Sequence, residues 1–266
     1  MSKIPTSLTI AGTDPTGGAG IQADLKTFQE LKSYGMSVIT SVVAQNTLGV
    51  QDVHHLPISI IEAQLTSVLS DIDVHAFKTG MLANVEMMDV IKQKITDLNA
   101  FYVLDPVMVA TSGDSLINEE ARDYLRNHLV PLSSLITPNI PEAEFLLNTK
   151  IKSTEDMKAA AIDIVNKLGA KAALVKGGHR TGDAIDYLYD GDNIYTFSEK
   201  RIDTNNTHGT GCTYAAAITA HLSHGVSLHD AVEKSKHFVT QAIKASFDLG
   251  KGNGPTNHWA VREGHH

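Results

Sequence analysis

Short apolar runs alternate along the chain with segments in which apolar side chains return every three or four positions. Residues 7–12 form an apolar run ending in glycine, and Ile21, Leu25, Phe28 and Leu31 then recur at helical spacing. Residues 37–44 are β-branched and apolar, the pattern of a strand covered on both faces. A helical stretch follows over residues 60–69, and residues 76–80, 101–107, 135–139 and 172–177 read as further buried strands with helical segments between them. This rhythm predicts parallel βαβ units joined by right-handed crossovers. Two places depart from it. Residues 186–189 and 194–197 flank Asp190-Gly191-Asp192-Asn193, a turn suited to an antiparallel hairpin. Residues 211–247 are almost wholly helical, with a break at His224-Gly225-Val226. Neither an internal repeat nor a Pro/Ser-rich linker divides the chain. The pattern predicts an α/β fold: a three-layer α/β/α sandwich with a mostly parallel central sheet, one domain over residues 1–262. Glu263-Gly264-His265-His266 reads as an expression-tag remnant and is set aside.

Composition narrows the function. The 266 residues suit one large α/β domain. A formal charge of −8 argues against nucleic acid as a partner, which requires a basic face. A single phosphate site remains open, because backbone amides alone can build one. Cys212 is the one cysteine, so no internal disulfide forms, which fits a reducing, cytoplasmic location. No run approaches the ~18 apolar residues of a membrane helix, and no membrane partner is expected. The first residues carry no signal-peptide pattern.

Four polar clusters follow predicted strands, the end at which open α/β sheets bind ligands. The strongest is Asn206-Thr207-His208-Gly209-Thr210-Gly211-Cys212-Thr213, a glycine-rich turn opening a helix. Such a turn leaves backbone N–H groups free at the positive end of the helix dipole, an anion hole suited to a phosphoryl group in transfer. Cys212 falls in the first turn, where its thiolate is expected to be favoured and able to accept a proton. The plainer reading is a turn that lets the helix pack closely, with Cys212 as a small apolar side chain. His208 is read as structural. The second cluster, Gly12 to Gly20, carries four glycines but fits neither G-x-G-x-x-G nor a P-loop. In the third, Asn139-Ile140-Pro141-Glu142 presents either an amide and a carboxylate to hydrated Mg²⁺ or simply a capped helix start. The fourth, Val175-Lys176-Gly177-Gly178-His179, offers Lys176 to a phosphate or to solvent. Asp105, with Ser112-Gly113-Asp114 beyond it, either acts near Mg²⁺ or caps a loop. The histidines show no transition-metal spacing.

The stretches LTIAGTDPTGGAGIQADLKTF, SVVAQNTLGVQ, KTGML, LDPVMVATSGDSL, TPNIPEAEFLL, VKGGH, NTHGTGCT and GKGNGPTNH are together specific. Through them the chain, from near Leu8 to near His258, resembles the hydroxymethylpyrimidine/phosphomethylpyrimidine kinases of the ribokinase-like superfamily. The resemblance implies two ATP-dependent steps in which the pyrimidine alcohol becomes first a monophosphate and then the diphosphate used to make thiamine. It implies ATP and Mg²⁺ as cofactors and a homodimer as the assembly. Carried over by position, Gly12, Ala19, Gln45, Met81, Val107 and Cys212 surround the pyrimidine. Asn139 and Glu142 face Mg²⁺–ATP, Lys176 and Thr210 face the phosphates, and Gly209, Gly211 and Cys212 supply the anion hole. Pyridoxal kinases of the same family are the rival reading. Many carry a second cysteine where this chain has Ala110, which favours the pyrimidine. Hydro-lyases of this fold and a catalytically inactive sensor are the readings from other classes.

Overall fold

The computed structural model describes residues 4–108, 117–178 and 182–262. Ala110, Ser112, Gly113, Asp114, His179 and the residues from Glu263 onward lie outside them.

The chain begins with β1 (Thr6–Ala11), α1 (Gly20–Glu30) and β2 (Tyr34–Ile39), and continues through β3 (Ser41–Asn46), β4 (Gly49–His55) and α2 (Ile58–Leu69). Then come β5 (Ala76–Thr79), α3 (Val85–Ile95), β6 (Phe101–Leu104), α4 (Glu119–Tyr124) and β7 (Leu135–Ile136). The remainder is α5 (Ile140–Leu147), α6 (Thr154–Leu168), β8 (Ala173–Lys176), β9 (Ala184–Tyr189), β10 (Ile194–Glu199), α7 (Thr210–Ser223) and α8 (Leu228–Lys244). An eight-stranded sheet runs in the order β10-β9-β8-β7-β6-β5-β1-β2. The pairs from β2 to β8 are parallel, and β9 and β10 add the predicted antiparallel hairpin at one edge.

Side chains alternate across the central strands, so each strand feeds two cores. Leu8, Ile10, Phe77, Leu104, Ile136 and Val175 pack under α2 to α6. Ala76, Val103, Leu135 and Leu174 face the other way, with α7 and α8 over them. Phe28 of α1 joins Ala216 and Ala220 of α7 on that second side. Burial on both faces explains why these strands read as continuous apolar runs. The three-layer α/β/α sandwich with a mostly parallel sheet is present as expected.

One predicted strand is two. The run 37–44 breaks at Thr40, whose N–H is given to Ala11 O, and β3 leaves the main sheet to pair antiparallel with β4. Along β3 burial alternates, with Ser41 and Val43 turned in and Val42 and Ala44 out. The strand is therefore not covered on both faces. A β-branched run continues unbroken through a change of partner, so periodicity could not mark the switch.

Candidate active site

One cleft of 1440 Å³ opens along the ends of β1, β5, β6, β7 and β8, and its lining includes every residue expected at the site. Gly12 follows β1, Met81 follows β5, Asp105 and Val107 follow β6, Asn139 follows β7, and Lys176 closes β8. Ala19 precedes α1, Gln45 comes from β3, Glu142 lies in the first turn of α5, and Gly209, Thr210, Gly211 and Cys212 open α7.

The turn into α7 is shaped by close approach. Gly209 has φ of 79°, and a Cβ there would lie 1.7 Å from Gly18 O, so only glycine fits. Among the described residues, the N–H groups of Gly209, Gly211 and Cys212 find no backbone acceptor. Three unpaired N–H groups at the start of a 14-residue helix are the arrangement that suits an anion. Thr210 differs from this pattern: its N–H and its hydroxyl are both given to Thr207 O, at 3.2 and 2.7 Å. Its hydroxyl proton is thus committed within the turn.

Cys212 departs from the sequence expectation. Enclosure by protein pushes its thiol up to about 11, although the Lys78 ammonium pulls the other way. Asp24 and Asp105 add to the rise, and a Gly20 N–H opposes it. The first turn of a helix favours a thiolate, but here desolvation wins and the thiol is the resting form.

Close to this turn, where a Cβ at Gly211 would lie 3.6 Å from Lys176 Nζ, three ionisable groups meet. Lys176 Nζ lies 3.3 Å from Asp105 Oδ1, which also accepts from Thr137 Oγ1 at 3.2 Å. Asp105 Oδ2 is buried with no hydrogen-bond partner among the described residues. Asn139 and Glu142 form a reciprocal capping box, the Asn139 N–H on Glu142 Oε2 and the Glu142 N–H on Asn139 Oδ1. The helix-cap reading of this pair is therefore true, and the two residues line the cleft as well. Burial raises the Glu142 carboxyl to about 7; Lys176 opposes this and Asp105 adds to it. An unpartnered carboxylate oxygen beside a second carboxyl that resists ionisation fits a divalent cation, which would supply the missing charge.

Two ion pairs escaped the sequence reading. Lys78 of β5 donates to both oxygens of Asp24 at 3.0 and 2.9 Å, with both side chains fully buried, and Thr9 Oγ1 caps Asp24 at 2.6 Å. Lys236 Nζ meets Asp186 Oδ2 at 2.7 Å, and both residues line the cleft. The signal for Lys78 was a lysine inside the apolar run AFKTG. His208, set aside as structural, binds Asp14 Oδ2 through Nε2 at 2.7 Å and so ties the α7 turn to the first glycine loop.

Comparison with known proteins agrees with this geometry. The family model described as phosphomethylpyrimidine kinase matches residues 14–257. A Staphylococcus aureus protein named hydroxymethylpyrimidine/phosphomethylpyrimidine kinase is 46% identical over 263 residues, covering 98% of this chain and 95% of its own. Among solved structures, Bacillus subtilis pyridoxal kinase in an ADP complex superposes with a TM-score of 0.91 at 41% identity, covering 98% of this chain and 99% of its own. Clostridium difficile phosphomethylpyrimidine kinase superposes with a TM-score of 0.81 at 43% identity, covering 91% and 100%. With a cleft at the strand ends and likeness over nearly the whole length, the chain belongs to the phosphomethylpyrimidine kinase family.

Proposed function

We propose that the protein phosphorylates 4-amino-5-hydroxymethyl-2-methylpyrimidine with ATP, giving the monophosphate and then the diphosphate for thiamine synthesis. The observation that carries this reading is the single cleft. In support, one cleft is lined by the pyrimidine candidates Gly12, Ala19, Gln45, Met81 and Val107 together with the phosphate and metal candidates and the turn into α7. In the first step the hydroxymethyl oxygen attacks the γ-phosphorus, the bond to the β–γ bridging oxygen breaks, and the hydroxyl proton leaves. Phosphoryl transfer relies on positioning and on charge stabilisation. The N–H groups of Gly209, Gly211 and Cys212 meet the charge on the transferring group, and Lys176 adds a point charge. Asp105 and Glu142 would hold Mg²⁺, the latter through water, and the ion would neutralise phosphate charge.

Cys212 is the proton acceptor in this reading. Burial holds Cys212 mainly as the thiol, so the thiolate that accepts the proton is the minor form near neutral pH. Its assistance therefore falls at the low end of general-base effects, about 10²-fold. The second step needs no base, because a phosphate monoester is already ionised near neutral pH.

A cytoplasmic location and a homodimer belong to the same proposal; sedimentation of the purified protein checks the second. Among the described residues no helix is long and apolar enough to cross a membrane. The likeness to Bacillus subtilis pyridoxal kinase supports pyridoxal as a side substrate. A coupled ADP-release assay with hydroxymethylpyrimidine, pyridoxal and a set of sugars tests the assignment. The pyrimidine should be the best acceptor.

A further inference from the structure

Three segments meet at His208. Its Nε2 lies 2.7 Å from Asp14 Oδ2, with the Asp14 side chain fully buried and the histidine side chain 12% exposed. Its backbone pairs with the glycine-rich segment near the end of the chain. The His208 N–H is given to Gly254 O at 3.1 Å, and His208 O accepts from the Thr256 N–H at 3.4 Å. Asn206 joins the same seam, its Oδ1 accepting from the Gly254 N–H at 3.0 Å. The next residue after His208 is Gly209, the start of the turn into α7 that lines the cleft.

Asp14 offers His208 a fixed partner. Its carboxylate also accepts from the Thr16 N–H at 2.9 Å, the Thr16 hydroxyl at 2.8 Å and the Ala19 N–H at 2.8 Å. Its own N–H is given to Gln22 Oε1 at 2.7 Å, which ties it to the first turns of α1. Burial pushes the Asp14 carboxyl up, but hydrogen bonding, with the His208 contact foremost, holds it well below the usual carboxylate range. An ionised carboxylate only accepts, so His208 carries a proton on Nε2.

Little slack is left around the imidazole. A Cβ at Gly18 would lie 2.6 Å from His208 Cδ2, and a Cβ at Gly209 would lie 1.7 Å from Gly18 O. Residues 208 and 209 are thus both pressed against Gly18, and a shift of the ring carries the start of α7 with it. The bonds from Thr210 to Thr207 O are local and shape the turn from within.

We propose that His208 is a positioning residue for phosphoryl transfer: held by Asp14 on one side and by residues 254–256 on the other, it sets where the N–H groups of Gly209, Gly211 and Cys212 point. The inference rests on the reading of this turn as the anion hole. Donors aimed at developing charge lose their effect when displaced by about 1 Å, at a cost of about 10²-fold in rate. The same donors serve both phosphoryl transfers. Loss of the His208 contact should therefore fall on both acceptors alike, and on kcat rather than KM.

The test is the variant set His208→Gln, His208→Asn and His208→Ala, assayed with ATP and with the pyrimidine alcohol and its monophosphate in turn. A glutamine amide nitrogen stands near the place of Nε2 and can give its N–H to Asp14; an asparagine nitrogen stands near the place of Nδ1 and falls short. His208→Ala and His208→Asn should lower kcat about 10–10²-fold with both acceptors. Acceptor KM and the calorimetric Kd of ADP should stay within about threefold of the unaltered enzyme. His208→Gln should keep kcat within about threefold of it as well. Equal activity in the Gln and Asn variants overturns the proposal, and this comparison decides alone if His208→Ala fails to fold. A loss mainly in KM overturns it by making His208 a ligand contact, and a loss confined to the alcohol step by making it a proton carrier. An unaltered enzyme that phosphorylates neither acceptor removes the functional reading and the proposal with it, a result read before any variant is made.

Discussion

Lys176 Nζ stands 3.3 Å from Asp105 Oδ1, at the point where β6 and β8 end on either side of β7. Burial pulls the Lys176 ammonium down, but the Asp105 and Glu142 carboxyls outweigh it and hold the lysine above its ordinary range. In the proposed reading this charged lysine meets the phosphates. Lys176→Met should lower kcat/KM by about 10²–10³-fold, the usual cost of removing one stabiliser of transferring charge. The loss should be equal for the alcohol and the monophosphate, since both steps move the same group. Steady-state kinetics with each acceptor checks this; unequal losses would place Lys176 at the acceptor.

Cys212 should behave in the opposite way. Cys212→Ala keeps the backbone of the anion hole and removes only the proton acceptor. Single-turnover kinetics should show the alcohol step slowed about 10²-fold and the monophosphate step much less. Equal losses would mean that Cys212 acts through packing and that the proton leaves by another route.

Glu142 makes a pH prediction. Its folded value of about 7 lies above the ordinary 4.5, because burial resists its charge. The fold therefore favours the protonated form. That stabilisation is complete below pH 4.5 and is lost as pH rises through about 7, a change of at most about 3 kcal/mol. Glu142→Gln keeps the cap acceptor and removes the titration. Without divalent cation, Tm of the variant relative to the parent should rise between pH 5 and pH 8. Mg²⁺ should oppose that trend in the parent, and its affinity in the presence of nucleotide should tighten as pH rises. A Tm difference that stays flat with pH would contradict this account of Glu142.

Thr47, at the tip of the β3–β4 hairpin, is bound by the glycine-rich segment near the end of the chain. Thr47 Oγ1 accepts from the Lys251 and Gly252 N–H groups at 3.0 and 3.1 Å, and Thr47 O from the Asn253 N–H at 3.1 Å. These bonds join the β3–β4 hairpin tip to the GKGNGPTNH stretch. The two should therefore order as one unit. Hydrogen exchange should show both segments gaining protection together on binding ATP and pyrimidine. Protection gained by one alone would argue against a shared cover.

The alternation of buried strands and amphipathic helices was legible because each inner strand is covered on both faces. Every candidate in the cleft was also legible, because strand ends and helix starts carry their own signals in glycine, asparagine and proline. The ionisation of Cys212 was not. A helix start argues for thiolate, and only the packing around the sulfur shows desolvation outweighing the dipole. The pairing of His208, read as structural, with Asp14 was missed for a related reason: the two are 194 positions apart, and neither marks the other in the sequence. Lys78 did leave a trace, a charge within a strand, but its partner Asp24 on α1 could not be read from spacing.

The most direct test of the central claim is kcat/KM for hydroxymethylpyrimidine and for pyridoxal, measured side by side at equal ATP and Mg²⁺ with phosphorylated products identified. The account predicts a higher value for the pyrimidine, with monophosphate appearing first and diphosphate after it. A preference for pyridoxal, or a pyrimidine reaction that stops without forming any diphosphate, would contradict it.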